Sequence, residues 1–367
     1  YNESAGISSL DPAFAKDQAH IWVCNQLYNG LVQADDSMFI RPCIAKSWSV
    51  SADGLVYTFV LRDDVYFHDD AVFPGSKGRC VKASDFVYSF GRIADDKLAS
   101  PGAWIFNDVA IDFSGTPMFS APADSVFVVT LKQPFPPFLS MLQMPYCAVV
   151  PHEAVDHYGR DFRSHAVGTG PFKLKLWMEN QRLILVKNNN YFEKENGRRL
   201  PYLDAVSVSF VVDKQSAFLE FIRGNLDFMS GLAPSYIDEL ITKQGELNEK
   251  YQSRINLVKQ PYLNTEYLGF LVDESMTENK NNPLLNRKVR QAINYGLDRK
   301  KMIKYLRNSL GTPGIYGIVP VGMPYHDTAI IKGYSYNPDK ARSLLAEAGY
   351  PNGINLPEIT LSTTASY

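Results

Sequence analysis

The segment that most restricts the fold is Gly168-Thr169-Gly170-Pro171, which is followed at 172–177 by the alternating residues FKLKLW. A phosphate-binding loop needs backbone N–H groups that converge at the start of a helix. Here Pro171 removes one of those donors, and apolar residues then recur at every second position, which is typical of a strand. The pattern therefore predicts a sharp turn that leads into a strand, with the two glycines permitting a tight backbone, and it argues against a nucleotide site.

Strands and helices are both predicted along the whole chain, so the fold class is α/β or α+β, in several lobes. Residues with high β-propensity predict strands at 54–62, 126–131, 172–177, 182–187 and 205–212. Helical spacing and capping residues predict helices within 10–30, 81–93, 151–162, 283–297 and 337–351, and another that begins at Asp298. In the first helix Asp17 is the predicted cap and Gly30 the predicted end, and the second helix is capped near Ser84.

Both ends of the chain predict that it is processed or shortened. The first residues, YNESAG, contain neither an initiator Met nor a signal peptide. The last residues, 356–367, predict one more strand. A domain seldom ends on a fresh strand, so we expect the complete protein to be longer.

Length and composition predict an ordinary globular protein of two or three domains. The chain has 367 residues, of which 45% are hydrophobic and 21% charged, and its net charge is −2. Because no global positive field exists, the composition excludes nucleic acid and anionic membrane surfaces as expected partners. Four cysteines lie far apart without metal-ligand spacing: Cys24, Cys43, Cys80 and Cys147. They indicate isolated buried thiols, although one disulfide stays open if the compartment is oxidising.

Two clusters of histidine and carboxylate residues are candidates for catalysis. His152-Glu153 resembles the start of a zinc-protease helix, but that motif needs two histidines four positions apart, and position 156 is Asp. His68 lies beside Asp69 and Asp70, which can form an acid–base pair or simply a polar turn after a strand. The sequence contains no Gly-x-Ser-x-Gly elbow and no catalytic Cys signature. We therefore expect neither an enzyme nor a metal centre.

The segment QPYLNTEYLGF at 260–270 is the most suggestive aromatic cluster. In an extended backbone Tyr262 and Asn264 share one face, and Tyr267 follows them. Amphipathic rings and an amide on one surface are typical of a ligand wall. Burial in the core explains the same pattern equally well at this point.

A series of motifs in a fixed order resembles one known family. The motifs are LDPAFAKDQAHIWVCNQLYNGLV, RPCIAKSWSVSADGLVYTFVLRDDVYFHDD, KASDFVYSFGRIADDKLASP, LKQPFPPFLSML, VVPHEAVDHYGRDF, VGTGPFKLKLW, PYLDAV, RGNLDF, NRKVRQAINYGLDRKKMI and YNPDKARSLLAEAGYPNG. Together they are similar to the extracellular solute-binding proteins of family 5, the oligopeptide- and dipeptide-binding proteins of ABC importers. Each motif is weak alone, but their order over the whole chain is specific.

The resemblance implies an α/β fold of the type II periplasmic-binding-protein kind, with two lobes joined by a hinge and a small inserted subdomain. The implied boundaries are 1–40 and 168–270 for lobe I, 41–167 for the inserted subdomain and 271–367 for the amino-terminal part of lobe II. In the family lobe II continues well beyond this length, so the chain is expected to lack most of it. The segment 168–177 would then be where the chain re-enters lobe I.

The resemblance also implies the ligand-binding residues. They are Lys16, Asp17 and Gln18 through backbone groups, Trp104 in the inserted subdomain, Ser230, Gly231 and Leu232 in a lobe I turn, and Tyr262, Asn264 and Tyr267 on a strand near the hinge. Asp17 is also the predicted helix cap, which is its alternative role. The family's acidic anchor for a peptide amine would fall beyond residue 367.

The implied function is to capture oligopeptides between two lobes and deliver them to ABC permease subunits. The resemblance implies a monomer without cofactor or nucleic acid, in the periplasm or on the cell surface, lipid-anchored or secreted. Three alternatives stay open: a non-peptide solute such as a metal chelate, haem or an oligosaccharide; a surface receptor that signals without transport; and a metal-dependent hydrolase.

Overall fold

The computed structural model describes residues 1–273, 275, 282–324 and 326–363. The chain packs as two units, an amino-terminal unit, Tyr1–Ser230, and a carboxy-terminal unit, Gly231–Tyr367. These packing units and the predicted lobe boundaries at residues 40, 167 and 270 are different divisions of the chain, and the lobe boundaries stay a prediction. None of the helices in the described ranges has the length and apolar character needed to cross a membrane.

The amino-terminal unit mixes helices with antiparallel strands. Its α-helices are α1 (Gln18–Leu27), α2 (Ala83–Ala94), α3 (Phe138–Met141), α4 (His152–Tyr158) and α5 (Lys214–Arg223), and its short 3₁₀ turns are Pro12–Phe14, Pro74–Ser76, Ala103–Phe106, Pro145–Cys147 and Gly159–Ser164. Its strands are β1 (Val32–Ala34), β2 (Ile40–Pro42), β3 (Ala45–Val50), β4 (Val56–Leu61), β5 (Phe119–Ala123), β6 (Val126–Thr130), β7 (Phe172–Met178), β8 (Arg182–Lys187), β9 (Lys194–Glu195), β10 (Arg198–Arg199) and β11 (Ala205–Ser209).

A four-stranded antiparallel sheet of order β3-β4-β6-β5 packs against helix α2. Alternate residues of β4 and β6 point to the helix side, and Phe59 and Phe127 are fully buried there. Phe86 and Phe90 of α2 meet the Phe127 ring with centroids at 5.7 and 5.3 Å. Such ring pairs add packing energy to the burial of apolar area, so the aromatic residues of the predicted strands form the core.

A three-stranded antiparallel sheet of order β11-β8-β7 follows the glycine-rich segment. Its buried face includes Leu183, Leu185 and Val208. The amino terminus extends this sheet, because Asn2 forms a parallel bridge with Ser209. The prediction that the segment 168–171 leads into a strand is therefore confirmed.

The glycines of that segment lie against the carboxyl end of α1. A Cβ atom placed on Gly168 would lie 2.0 Å from the carbonyl oxygen of Leu27, and one on Gly170 would lie 2.4 Å from the carbonyl oxygen of Gln26. The Gly170 N–H donates to the Leu27 carbonyl at 2.9 Å. Neither glycine has a positive φ. The two positions need glycine because the backbones touch, and no unusual backbone angle is involved.

His68 bridges the same segment from the other side. Its Nδ1 accepts the Gly168 N–H at 3.3 Å, its Nε2 lies 3.0 Å from the Gly170 carbonyl oxygen, and its backbone N–H donates to the Gly168 carbonyl at 2.7 Å. This pattern requires the neutral imidazole with its proton on Nε2. Burial, with a smaller contribution from the nearby Lys173, lowers the pKa of His68 to about 4.

The acid–base interpretation of His68 is therefore wrong, because its ring is only 4% exposed and both ring nitrogens bond to the backbone. The carboxylate of Asp69 instead accepts hydrogen bonds from Lys77 and from the Gly78 N–H. Asp70 accepts the Tyr158 hydroxyl at 2.9 Å. The polar turn after β4, which was the alternative, describes this segment.

The described part of the carboxy-terminal unit contains four α-helices and no named strand, and long irregular segments connect its helices. Its α-helices are α6 (Pro234–Leu240), α7 (Arg287–Gly296), α8 (Arg299–Leu306) and α9 (Pro338–Glu347), and its 3₁₀ turns are Glu249–Tyr251, Pro283–Leu285 and Pro351–Gly353. Helices α7 and α9 pack around Ala292, Ala341 and Leu344. Asp298 caps α8 as predicted, because its side chain accepts the Lys301 N–H at 3.0 Å.

A buried amide connects α6 to the residues after α8. Asn308 is 1% exposed and donates to the carboxylate of Asp238 at 2.8 Å and to the carbonyl of Ile241 at 2.6 Å. Its side-chain oxygen accepts the Lys243 ammonium at 2.8 Å. Because each polar atom of this amide is paired, the network stabilises the junction without an unpaired buried group.

Several predicted boundaries differ from the structure. Helix α1 ends at Leu27 and not at Gly30, since Tyr28 already has an extended backbone. Helix α2 begins one residue before the predicted cap Ser84, and the Asp85 carboxylate accepts the Lys82 N–H at 2.8 Å. The predicted strand at 356–367 is not present in its described part, 356–363, because those residues find no neighbouring strand with which to pair.

All four cysteines are free thiols. Cys24, Cys43 and Cys147 are buried, and Cys80 is half-buried. Burial raises the pKa of the Cys43 thiol to about 12, so the thiol is protonated at neutral pH and unreactive. The interpretation as isolated thiols describes this arrangement.

Replacing Gly168 with alanine should destabilise the protein strongly. The new Cβ would overlap the Leu27 carbonyl, and packed backbones cannot separate without losing other contacts. We expect the free energy of unfolding to fall by about 3 kcal/mol in urea denaturation. The matched control is Gly91→Ala in α2, where a Cβ meets no atom within 4 Å and a neutral or stabilising change is expected. Equal stability of the two variants would contradict the packing argument.

Acid should weaken the protein through His68. In the folded state the pKa of His68 is about 4, whereas an imidazole in an unfolded chain has a pKa of about 6.5. The unfolded chain therefore binds a proton at a higher pH, so the stability that neutral His68 contributes is complete above about pH 6.5 and is lost as the pH falls to about 4. Across that window wild type should lose roughly 3 kcal/mol more unfolding free energy than His68→Gln, which cannot titrate. Parallel pH profiles of the two proteins would rule out this role.

Candidate ligand-binding site

A buried ion pair fixes the turn that precedes α1. Asp11 is 4% exposed, and its Oδ1 accepts the Ala13 N–H at 3.0 Å. Arg92 of α2 binds both Asp11 oxygens, with one Nη1–Oδ1 distance of 2.9 Å. A bidentate pair of this kind is strong and directional. The turn is therefore held by a helix that lies about 80 residues further along the chain.

The predicted contacts Lys16, Asp17 and Gln18 form the exposed end of this turn. Asp17 caps α1 by accepting the His20 N–H at 3.2 Å, and the same oxygen lies 2.6 Å from Nδ1 of His20. Burial raises the pKa of Asp17, but its hydrogen bonds from His20 outweigh that effect and lower the pKa overall. Asp17 therefore has the capping role that was its alternative, and a contact through its backbone stays a prediction.

The backbone of this segment has free polar groups. Within the described residues, no hydrogen bond engages the N–H groups of Asp17 and Gln18 or the carbonyl of Lys16. Gln18 is the first residue of α1, so its N–H has no partner inside the helix. These groups can bind the main chain of an extended ligand, as the resemblance implies.

Trp104 projects from a turn whose other residues are fixed. The ring is 49% exposed, whereas its neighbours Ile105 and Phe106 are buried. The turn begins after Gly102, which packs flat on the Tyr146 ring: a Cβ on Gly102 would lie 2.4 Å from the ring. An exposed aromatic ring on an anchored turn loses little conformational freedom when a ligand covers it.

One hydrogen bond joins the residues just before the Trp104 turn to the Pro12–Phe14 turn, which leads into the Lys16–Gln18 segment. The hydroxyl of Ser100 donates to the carbonyl of Ala13 at 2.7 Å and accepts the Gly102 N–H at 3.1 Å. The structure therefore brings two predicted ligand segments together, although they are separated by more than 80 residues. Ser100 and Tyr146 were not identified from the sequence, and their contacts with Ala13 and Gly102 support these segments. The pair Ser100-Pro101 is a turn signal, but its long-range partner has no sequence signal.

The predicted contacts Ser230, Gly231 and Leu232 lie where the two packing units meet in sequence. Gly231 has a φ of 77°, which favours glycine. Its carbonyl accepts the Tyr236 hydroxyl at 3.3 Å. Glycine therefore suits the backbone at position 231, and both the turn and its role in binding stay predictions.

The segment with Tyr262, Asn264 and Tyr267 is not a strand, so that part of the prediction is wrong. The N–H of Asn264 donates to the carbonyl of Tyr262 at 2.7 Å, which bends the backbone where a strand must be extended. The Tyr262 and Tyr267 rings are 69% and 75% exposed, so burial in the core does not explain them. Their part in a ligand site stays a prediction.

The His152-Glu153 cluster is occupied by an ion-pair network. Both Glu153 oxygens accept hydrogen bonds from Arg79 at 2.6 and 2.8 Å, and the same guanidinium binds Asp85 at 2.7 and 2.8 Å. Burial opposes the charge of Arg79, but these hydrogen bonds outweigh it and raise its pKa. Glu153 therefore fixes α4 to α2. Among the described residues, no group of three His, Cys, Asp or Glu side chains is placed to hold a metal ion.

Comparison with known proteins gives a consistent match. A family model described as bacterial extracellular solute-binding proteins, family 5 Middle, matches residues 40–367. The glutathione-binding protein GsiB of Salmonella paratyphi A is 30% identical over 352 residues, which cover 96% of this chain and 61% of that protein. The corresponding protein of Escherichia coli O157:H7 is 29% identical over 353 residues with the same coverage. The chain thus spans about three fifths of the length of these curated relatives.

Solved structures are similar over nearly the whole chain. The periplasmic binding protein DppA of Helicobacter pylori, in complex with the peptide STSA, matches with a TM-score of 0.69 and 27% identity, covering 96% of this chain and 65% of that one. NikZ of Campylobacter jejuni, in complex with Ni(L-His), matches with a TM-score of 0.69 and 23% identity, covering 95% and 62%. These matches confirm the predicted fold class, the α/β fold of type II periplasmic binding proteins.

Proposed function

The chain belongs to the bacterial extracellular solute-binding proteins, family 5, and we propose that it is the substrate-binding component of a peptide importer of the ABC type. It binds short peptides reversibly, outside the cytoplasmic membrane, and passes them to permease subunits. It acts as a monomer, without catalysis and without a cofactor. The predicted lobe boundaries at residues 40, 167 and 270 belong to this proposal.

The observation that carries the proposal is the joined surface of Trp104 and the Lys16–Gln18 segment. The Ser100–Ala13 hydrogen bond, 2.7 Å long, connects the loop that leads to the exposed Trp104 ring with the turn that leads to the free main-chain groups. Main-chain groups pair with the amides that every peptide carries, and a ring packs on side chains of varied chemistry. Such a surface suits peptides, because they share one backbone and differ in their side chains.

The ligands of relatives support the peptide class over other solutes. The curated relatives are named for glutathione, which is itself a tripeptide, and the Helicobacter pylori structure contains a tetrapeptide. NikZ contains a nickel complex, but at 23% identity that similarity extends to the fold alone. Ser230, Gly231, Leu232, Tyr262, Asn264 and Tyr267 are further proposed contacts, by family resemblance and, for the two tyrosines, by exposure.

Calorimetric titration of the protein with a ligand panel tests the proposed function. The panel contains trialanine, pentaalanine, glutathione and the nickel–L-histidine complex. We expect saturable binding of the peptides with one site per chain, and mass spectrometry of the mixture should detect no cleavage. An N-methylated pentaalanine, which lacks amide donors, should bind more weakly than pentaalanine itself. Binding of the nickel complex alone would refute the peptide class, and cleavage that His152→Ala abolishes would favour the hydrolase.

Two substitutions should weaken peptide binding without unfolding the protein. Trp104→Ala should raise the Kd about tenfold, because the ligand loses the ring on which it packs. Gln18→Pro should bind about fivefold more weakly than Gln18→Ala, because both lack the side chain but only proline lacks the N–H. Proline is tolerated there, since Gln18 opens α1 and Asp17 has the extended backbone that precedes a proline.

The control for the ring is Phe113→Ala. Phe113 is a fully exposed aromatic residue of the same unit, outside the proposed surface. Its replacement removes exposed apolar area without changing a ligand contact, so the Kd should stay at the wild-type value. If Phe113→Ala weakened binding as much as Trp104→Ala, or if proline and alanine at position 18 bound equally, the proposed surface would be wrong.

A further inference from the structure

The hydroxyl of Ser100 is the connection between the two parts of the proposed surface. Ser100 is 6% exposed, so its hydrogen bonds are shielded from water. The hydroxyl uses its single proton for the Ala13 carbonyl and one lone pair for the Gly102 N–H, at 2.7 and 3.1 Å. Gly102 lies two residues before Trp104, and Ala13 lies three residues before Lys16. One side chain therefore touches the backbone of both segments.

Ala13 is held at both of its backbone polar groups. Asp11 accepts its N–H at 3.0 Å, and Ser100 donates to its carbonyl at 2.7 Å. The carboxylate of Asp11 is itself fixed by Arg92. Rotation of the turn about Ala13 would break a buried hydrogen bond, which leaves an unpaired polar group in the interior. The direction of the following Lys16–Gln18 backbone is therefore determined by side chains from α2 and from the Trp104 turn.

We propose that Ser100 is a positioning residue for peptide binding, which couples the Trp104 ring to the main-chain groups of the Lys16–Gln18 segment. This inference rests on the proposed function. Ser100 does not contact the ligand. Its hydroxyl keeps both segments in the orientation in which one extended peptide meets them together, so the ligand does not have to order them on binding.

The first experiment compares Ser100→Ala with Ser89→Ala. Ser89 is a matched control in the same unit: it is 2% exposed, donates to the Asp85 carbonyl at 2.7 Å and accepts the Val150 N–H at 3.0 Å. Both variants lose one buried hydroxyl that bonds to a backbone carbonyl and to a backbone N–H, and Ser89 also lies 3.3 Å from the Val150 carbonyl oxygen. Their melting temperatures should therefore fall by similar amounts. We expect Ser100→Ala to raise the Kd for pentaalanine about tenfold, whereas Ser89→Ala leaves it unchanged.

Conservative replacement provides a second readout. Ser100→Thr retains the hydroxyl, and we expect its Kd to lie within about threefold of wild type. Binding is measured well below the melting temperature of each variant, so that only folded protein is compared. A Kd for Ser100→Thr as weak as that for Ser100→Ala would overturn the role of the hydroxyl.

A double-mutant cycle tests the coupling itself. Trp104→Ala and Gln18→Pro are combined in the Ser100 protein and again in the Ser100→Ala protein. If Ser100 joins the two segments, the effects of the two substitutions on Kd should be non-additive by about threefold or more with Ser100 present. In the Ser100→Ala background the same two effects should multiply independently.

The outcomes separate this inference from the function on which it rests. Coupling that persists in Ser100→Ala, or equal loss of binding in Ser89→Ala, would overturn the positioning role while leaving the proposed site intact. If neither Trp104→Ala nor Gln18→Pro weakens peptide binding, the proposed surface fails and the positioning role fails with it. Coupling that vanishes with the hydroxyl supports both.

Discussion

The contact between two glycines and the end of α1 is the constraint on which the amino-terminal unit depends. At Gly168 and Gly170 the incoming chain touches the carbonyl groups of Leu27 and Gln26, with no space for a side chain. The three-stranded sheet begins immediately after this contact. His68 closes the contact from the opposite side with hydrogen bonds to the same backbone. Helix, sheet and the polar turn after β4 are thus placed relative to one another by a few backbone atoms.

The proposed ligand surface depends on a second set of buried polar bonds. Asp11, Arg92 and Ser100 are side chains from three separate segments, and they converge on the single turn that precedes α1. Each bond would contribute only about 1–3 kcal/mol to stability. Their combined effect on geometry is larger, because they leave the turn no alternative orientation. Because these buried bonds fix the turn, the main-chain groups of the Lys16–Gln18 segment can stay exposed to solvent without the segment rearranging to pair them.

Local features of the fold were predictable from the sequence because their causes are local. The strands β4, β6, β7 and β8 and the caps Asp17 and Asp298 depend on neighbouring residues, and the structure contains all of them. In β7 the predicted alternation breaks at the bulge between Leu174 and Leu176, where the Leu176 side chain is exposed. The segment with Tyr262 and Asn264 was predicted as a strand and is a turn, because a strand also requires a partner. Of the site, the resemblance named the exposed residues, such as Trp104, but not the buried ones that hold them. The contacts that Ser100 and Tyr146 make have no sequence signal, since their partners lie far away in the chain.

Residue order and local backbone preference were enough to predict the family, the fold class and the turn at Gly168-Thr169-Gly170-Pro171. The role of that turn, in contrast, depends on the folded arrangement of distant segments. Its glycines allow the backbone to contact the carboxyl end of α1. The adjacent His68, which the sequence offered as an acid–base group, is a neutral side chain that bridges the backbone and has a pKa of about 4. The physical reason is burial: the role of a histidine or a glycine depends on which atoms surround it. Those atoms come from segments about 100 to 140 residues away, a distance at which local pattern carries no information.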